Sequence, residues 1–532
     1  MSETHTQQAQ QQAELQKRLW SIANDLRGNM DASEFRNYIL GLIFYRFLSQ
    51  REDDVAAEQL ANDGITFEEA YADEDMRDML QDAITNILGF FISPDNLFSS
   101  LVADIQAGHF DVEKLANAVN ELENSTIGKE SETDFRGLFE DLDLNSSRLG
   151  STVAQRSDLI AKVMLNLADL DFGEGKAEID VLGGDAYEYL IGQFASTAGK
   201  KAGEFYTPQQ VSKLLSRLVT LDRPEIKSVY DPTMGSGSLL LQVGNYARVG
   251  NYYGQELNGT TFNLARMNML MHGINFSRFE MKQGDTLEDD KFAGQRFDAV
   301  VANPPYSAKW STDGKLDDER FRKYGKTAPK SKADFAFVEH MLFHLNDDGR
   351  MAVVLPHGVL FRGGAAEGVI RRFMIERDNV LDGVIGLPAN LFYGTSIPTV
   401  VLVFKKQRTI DDIFFIDASN DFEKGKNQNN LTDEQVDKIV ETYQQRADVD
   451  KYAHVATLDE IKENDFNLNI PRYVDTFEEE PPVDVDKLVA DIQTTNQEIA
   501  EQETEFTSML AELVGQDPDA QQQLEKLKEL FK

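Results

Sequence analysis

Four short apolar segments between residues 225 and 306 each end in a polar turn. The first ends at Asp231, the second at Glu256, the third just before Asp285 and the fourth at Asn303. Strands that alternate with helices build a mostly parallel sheet. The spacing therefore predicts an α/β core, with a mixed, mostly parallel sheet and helices on both faces. We expect the four polar strand ends to form one site.

The first strand end carries a glycine loop, Asp231-Pro-Thr-Met-Gly-Ser-Gly-Ser238, followed by an apolar helix. The glycines allow close approach of a ligand, and the helix N-terminus presents free N–H groups. The Gly-Lys-Ser/Thr of a phosphate loop is missing, as is the third glycine of a dinucleotide fingerprint. Asp231 then favours a cationic or amino-bearing ligand, although such a turn alone is usually only a tight connection. The candidate binding residues are Asp231, Gly235, Ser236, Gly237 and Ser238.

The next two strand ends are acidic. Glu256 ends the second strand and is placed to bind ribose hydroxyls, whereas Asp285 could accept a hydrogen bond from an adenine amino group. Either residue alone is more often a solvated strand end. Together with the glycine loop they predict a pocket for an adenosine with a charged amino-acid tail, which is S-adenosylmethionine.

The fourth strand end, Asn303-Pro304-Pro305-Tyr306, suits methylation of a planar amino group. Such a nitrogen, for example adenine N6, is a poor nucleophile because its lone pair is delocalised. The Asn303 side-chain oxygen and the Pro304 carbonyl could accept both of its protons, and Pro305 stiffens the turn. Tyr306 offers a flat face for an unstacked base. Asn-Pro-Pro alone is a common turn, but its place after three polar strand ends favours catalysis.

These motifs resemble those of amino-methylating DNA methyltransferases. Their order, with Phe-Tyr-Thr-Pro before the glycine loop, is similar to the gamma group of N6-adenine enzymes. Segments 332–337 and 387–392 resemble the modification (M) subunits of type I restriction-modification systems, of the IC type. The resemblance implies that a further motif closes the methionine side of the cofactor, namely Glu204, Phe205, Tyr206, Thr207, Pro208 and Gln209.

The resemblance also implies partners. These are double-stranded DNA as substrate, a specificity (S) subunit that reads the site, a second copy of the M subunit and a restriction (R) subunit. The function implied is methylation of adenine N6 in a specific DNA sequence, which protects host DNA and participates in restriction.

The net charge of −38 is unusual for a DNA-binding chain, which is expected to be basic. Residues 1–170 carry −18 and residues 421–532 carry −17, whereas residues 171–420 carry only −3. No stretch of the core looks free to read bases, so recognition and most DNA affinity are expected to come from a partner. Segment 307–332 could touch phosphates or be a mobile charged loop. Its basic residues are Lys309, Lys315, Arg320, Arg322, Lys323, Lys326, Lys330 and Lys332.

The flanks predict two further parts. Residues 1–170 have helical patterning and precede a core at 171–475, and residues 476–532 form a helical tail. The tail has a heptad seam, which either packs on its own domain or, as we favour, joins a partner's helix. The seam consists of Val485, Leu488, Ile492, Thr495, Ile499, Gln502, Phe506, Met509 and Leu513.

Composition excludes several classes. The chain has no cysteine, which excludes disulfides and fits a reducing compartment. The start lacks a basic signal region, and the longest apolar run, 38–48, is too short to span a membrane, so we expect a cytoplasmic protein. His340 and His344 are one helical turn apart, but no third ligand is evident in the sequence. No metal site is predicted.

Three alternatives remain open. Cytosine N4 and a protein glutamine amide present similar nitrogens, but cytosine enzymes more often carry Ser-Pro-Pro-Tyr, and glutamine methyltransferases are typically smaller. The chain could also be a cofactor-binding assembly subunit with little turnover. The intact sequence from Asn303 to Tyr306 argues against a purely structural role.

Overall fold

The computed structural model describes residues 17, 20, 32–170, 176–197, 206–363, 366–392, 394–426, 428–476 and 484–531. They belong to two compact units, residues 1–475 and residues 476–532. None of the described helices combines the length and apolar character that a membrane span requires.

The described residues up to 170 are mainly helical, as predicted. Helix α1 is its central element, because residues 39–45 on it are almost completely buried. Shorter helices pack around it, and side chains such as Thr66, Asp111 and Thr152 cap their first turns. The helices are α1 (Ala32–Leu60), α2 (Phe67–Ala72), α3 (Glu74–Leu88), α4 (Phe98–Ala107), α5 (Val112–Ser125), α6 (Glu132–Phe135) and α7 (Val153–Ala168).

The rest of the first unit contains both strands and helices, and they alternate from β1 to β3. The strands are β1 (Glu225–Asp231), β2 (Arg248–Glu256), β3 (Phe279–Gln283), β4 (Phe297–Ala302), β5 (Leu345–Pro356), β6 (Leu381–Gly386), β7 (Thr399–Lys405), β8 (Ile413–Asp417), β9 (Glu423–Lys424), β10 (Asn429–Asn430) and β11 (Ala453–Ala456). The helices are α8 (Lys176–Thr197), α9 (Gln209–Thr220), α10 (Ser238–Gly244), α11 (Gly259–Met271), α12 (Asp334–Phe343), α13 (Glu367–Arg372), α14 (Asp433–Gln445) and α15 (Leu458–Glu463).

Nine of these strands form one sheet in the order β11-β8-β6-β7-β5-β4-β1-β2-β3. All neighbouring strands pair in parallel except at β7 and β11, so the predicted mixed, mostly parallel sheet is confirmed. Alternate residues of β4 face opposite sides. Ala299 and Val301 join one hydrophobic cluster, and Val300 and Ala302 join the other. Helices therefore cover both faces, as expected.

The order of the strands creates a crevice at the carboxyl ends of β1 and β4. From β1 the chain proceeds outward to β2 and β3, then returns to place β4 on the other side of β1. Connections that leave two adjacent parallel strands in opposite directions open a crevice at that point, where α/β proteins bind ligands. Asp231 ends β1, and Asn303 directly follows β4.

The N-terminal helices dock on one face of this sheet through Arg266 of α11. This side chain is 2% exposed. Its guanidinium donates hydrogen bonds to the carbonyls of Thr133, Asp134 and Arg136 at 3.0 to 3.2 Å. The hydrophobic cluster is continuous across this junction, from α1 to the core strands.

The second unit contains helices α16 (Val485–Glu512) and α17 (Pro518–Leu530). The α17 helix folds back on the end of α16, where the Phe506 and Phe531 rings lie 5.1 Å apart. The predicted seam is exposed along its length, with Ile492 50%, Ile499 48% and Met509 62% exposed.

Candidate active site

The glycine loop is held between β1 and β2. Gly235 and Gly237 adopt φ angles of 55° and 78°, which glycine tolerates without strain. The Met234 amide donates to the Gln255 carbonyl at 3.1 Å. A side chain at Gly254 would place its Cβ 2.2 Å from the Met234 sulfur, so this glycine lets the loop lie against β2.

Two carboxylates line the loop. Glu256 accepts hydrogen bonds from the backbone amides of Gly235, at 3.0 Å, and Asn258, at 2.9 Å. Asp231 is 2% exposed and accepts from the Thr233 amide at 2.8 Å. Burial, reinforced by the charge of Glu256, raises the pKa of Asp231 to about 8. A cationic ligand beside such a buried carboxyl group stabilises its ionised form.

The Asn303 carboxamide is held at both ends. Its Nδ2 donates to the Thr207 hydroxyl at 3.2 Å, and its Oδ1 accepts from the Tyr306 hydroxyl at 2.8 Å. The Tyr306 ring is half-buried and packs edge-on against Phe392, with centroids 5.9 Å apart. Burial raises the pKa of Tyr306 well above its ordinary value, so its hydroxyl remains a donor at neutral pH.

Asp285 lies in the turn after β3. Its carboxylate accepts from the Leu287 amide at 3.0 Å, and its neighbour Thr286 donates through its hydroxyl to the Pro232 carbonyl. The turn that carries Asp285 is therefore tied to the glycine loop.

Seven of the predicted residues line one pocket at the crevice: Tyr206, Thr207, Asp231, Gly235, Ser236, Ser238 and Asn303. Gly237 belongs to the same turn, and Glu256 is connected to the pocket by its hydrogen bond from the Gly235 amide. Pro208 precedes α9, where Gln209 is exposed, whereas Pro304 is buried and Pro305 exposed beside Asn303. Glu204 and Phe205 lie outside the described residues.

Sequence reasoning missed several neighbours of this pocket. Thr233, Met234 and Leu239 also line it, and Asn268 of α11 donates to the Ser236 carbonyl at 3.0 Å. Phe392, which packs on Tyr306, belongs to the Leu387–Phe392 segment, whose resemblance pointed to a family but not to a contact. Among the described lining residues there is no Lys or Arg.

The two helical histidines belong to a buried hydrogen-bond network, and the expectation that no third ligand lies nearby is wrong. Asp290 contacts His344 at 3.0 Å. Each ring nitrogen nevertheless has a protein partner. His340 contacts Tyr230 at 3.0 Å and Arg320 at 3.1 Å, and His344 also contacts the Gln295 carbonyl at 2.8 Å. This arrangement fits packing behind the sheet.

The basic segment 307–332 is only partly available for DNA. Lys315 and Arg320 are each 6% exposed and bind groups of the protein, so they do not touch phosphates. Three exposed members make ion pairs: Arg322 with Glu319, Lys323 with Asp378 and Lys330 with Asp313. Lys309 and Lys326 are also exposed.

A mostly parallel sheet with an acidic pocket and Asn-Pro-Pro-Tyr at its crevice defines the class of amino-methylating methyltransferases. Comparisons with known proteins agree. Residues 177–481 match the N-6 DNA Methylase family, and residues 15–167 match the HsdM N-terminal domain. The chain belongs to the N-6 DNA methylase family of enzymes and, within it, to the methylase subunits of type I restriction-modification systems.

Its relatives include the type I restriction enzyme MpnII methylase subunit of Mycoplasma pneumoniae, 38% identical over 88% of this chain and 91% of that protein. The MjaVII methylase subunit of Methanocaldococcus jannaschii is 32% identical over 76% of this chain and 69% of that protein. A crystal structure of a type I methyltransferase subunit from Streptococcus thermophilus is 46% identical. It covers 87% of this chain and 100% of its own, with a TM-score of 0.81.

Proposed function

We propose that this chain transfers a methyl group from S-adenosylmethionine to adenine N6 in a specific DNA sequence, with S-adenosylhomocysteine as the leaving group and loss of one proton from the methylated nitrogen. It would act as the catalytic subunit of a complex whose S subunit reads the site, in the gamma group and of the IC type. The observation that carries the proposal is the Asn303 carboxamide, oriented by Thr207 beside an acidic pocket.

The pocket residues fit the cofactor. S-adenosylmethionine supplies, when bound, an electrophilic methyl group on a sulfonium cation. Asp231 suits that positive charge or the amino group of the tail, Glu256 suits the ribose and Asp285 the adenine amino group. The absence of Lys and Arg among the described lining residues also favours a cationic ligand over a phosphate. The segment from Glu204 to Gln209 would close the methionine side.

The target base would be bound by the fourth strand end. An adenine turned out of the duplex stacks on Tyr306, with Phe392 behind that ring. Its amino group donates to the Pro304 carbonyl and to Asn303 Oδ1, whose second lone pair is free beside the bond from the Tyr306 hydroxyl. Because Thr207 holds the Nδ2 end, the amide presents its oxygen in a constant direction. Catalysis then rests on positioning and hydrogen bonding.

The partners follow from the charge and the tail. A chain of −38 has little intrinsic attraction for DNA, so the S subunit would supply most of the affinity. The exposed seam of α16 would bury itself against helices of that subunit. We further propose that residues 1–170, 171–475 and 476–532 act as helical, catalytic and partner-binding domains. A second M subunit and the R subunit would complete the assembly in the cytoplasm.

The test is transfer of a labelled methyl group from S-adenosylmethionine to DNA. We expect 6-methyladenine when the chain is mixed with its S subunit, and almost none from the chain alone. Activity of the isolated chain would contradict the argument from charge. Cofactor binding without DNA methylation in either mixture would favour an amide-methylating or an assembly role.

The seam can be tested in the same assay. A double variant, Ile492→Asp with Ile499→Asp, is expected to abolish methylation that depends on the S subunit while leaving cofactor binding unchanged, because charges cannot be buried in the seam. The matched control is Glu498→Asp with Glu501→Asp, which adds no charge. Full activity of the isoleucine double variant would exclude the seam as the contact.

Cofactor affinity is expected to rise with pH. In the free protein the pKa of Asp231 is raised to about 8 by burial, so the carboxyl is mostly protonated below that pH. A cationic ligand binds the ionised form, and binding therefore releases a proton. Between pH 6 and pH 7.5 we expect the affinity for S-adenosylmethionine, measured by calorimetry, to increase about 20-fold, as the ionised fraction of Asp231 does. Asp231→Asn should remove this slope, and an unchanged slope would exclude Asp231 as its source.

A further inference from the structure

Arg320 is a buried cation in the segment that follows Tyr306. All five of its N–H groups have acceptors. Its Nε and one terminal nitrogen donate to the Asp318 carboxylate at 2.7 to 3.1 Å. The other terminal nitrogen meets the His340 Nδ1 at 3.1 Å. A guanidinium fixed on two sides in this way has a defined direction.

The remaining donors of Arg320 hold the turn that carries Asp285. They bind the carbonyls of Thr286, at 2.8 Å, and Leu287, at 3.0 Å. Lys315, from the same segment, adds a bond from its ammonium group to the Leu287 carbonyl. These two carbonyls directly follow Asp285 and face away from solvent, so the cations of the segment supply their donors.

The segment is itself attached to the catalytic turn. The Ala333 amide donates to the Ala308 carbonyl at 2.9 Å and closes the segment at its base. The Ser307 amide, which directly follows Tyr306, donates to the buried Asp334 carboxylate at 2.7 Å. One closed segment thus connects the turn after Asn303 with the turn that bears Asp285.

We propose that Arg320 is a positioning residue for the adenine end of the cofactor site: by holding the Thr286 and Leu287 carbonyls, it sets the position of Asp285. The inference rests on the proposed function, in which Asp285 binds the adenine amino group. It assigns Arg320 to the cofactor and not to DNA phosphates, because its donors are occupied and its side chain is 6% exposed.

The test is binding of S-adenosylhomocysteine to the full chain by calorimetry. Arg320→Gln is expected to weaken binding about tenfold, since charged hydrogen bonds to two carbonyls are lost. Arg320→Lys keeps the positive charge but offers one nitrogen in place of three, and its affinity should lie between those of Arg320→Gln and the wild type. The matched control is Arg322→Gln, an exposed arginine two residues further along, which should bind as the wild type does.

A double-mutant cycle separates positioning from general damage. If Arg320 acts through Asp285, Arg320→Gln should cost little further affinity in an Asp285→Ala background. A cofactor analogue without the 6-amino group should likewise bind the wild type and Arg320→Gln almost equally. General destabilisation of the variant would instead weaken the binding of every ligand. It would also lower the midpoint of thermal unfolding, which is measured for each variant.

Each failure has its own meaning. Unchanged binding by Asp285→Ala would contradict the proposed adenine contact. If Asp285→Ala weakens binding but Arg320→Gln stays within about twofold of the wild type, the positioning role is overturned. Additive losses in the double variant would also overturn it, because Arg320 would then act independently of Asp285.

Discussion

Replacement of Asn303 by alanine is expected to lower the rate of methyl transfer at least about a hundredfold in the complex with the S subunit. The side-chain oxygen is the acceptor that would bind the adenine amino group, and no other described side chain occupies its position between Thr207 and Tyr306. Affinity for S-adenosylmethionine should stay within about threefold, because the loss concerns the reacting nitrogen. Single-turnover transfer of labelled methyl and calorimetry measure the two quantities.

The control for this variant is Asn251→Ala. Asn251 is an exposed asparagine on β2, so its replacement removes the same group without approaching the site. Its methyl-transfer rate should equal that of the wild type. If Asn303→Ala kept more than a tenth of the wild-type rate, the proposed role of the carboxamide would be wrong.

Arg266→Ala is expected to lower the free energy of unfolding of the first unit by about 3–5 kcal/mol. The change leaves the carbonyls of Thr133, Asp134 and Arg136 without their common donor and opens a cavity where a large, fully buried side chain had been. Thermal unfolding followed by circular dichroism measures the loss as a lower midpoint.

The control here is Arg248→Ala. Its ion pair with Glu225 is exposed on both sides, so the free energy of unfolding should change by less than about 0.5 kcal/mol. Equal stability of the Arg266→Ala variant and the wild type would show that the helical block docks without a contribution from Arg266.

Much of the core could be predicted because its signals are local. The third strand was predicted to end just before Asp285 and ends at Gln283, and the other strands that carry polar ends stop where the turn residues begin. Apolar runs bounded by Gly, Pro and Asp favour strands regardless of their distant neighbours. The helical seam of the tail is equally local, and α16 covers residues 485–512.

The basic segment, residues 307–332, shows that clustered charge in the sequence predicts a binding surface less well than turn residues predict strand ends. Eight cations within 26 residues were compatible with a surface for phosphates or with a mobile charged loop. Two of them, Lys315 and Arg320, turn inward, because the turn after β3 contains buried carbonyls that need donors. Which carbonyls lack donors depends on how strands far apart in the sequence are arranged.

The sequence by itself determined the α/β class and the polar residues at the four strand ends, since periodicity and turn residues act over a few positions. Only the tertiary structure decided which groups meet across the crevice. Thr207 meets Asn303 across 96 residues, and Phe392 packs on Tyr306. Such contacts are set by the order of the strands and the packing of both faces. The side chains that meet in this way are far apart in the sequence, so no local sequence pattern indicates which of them will pair.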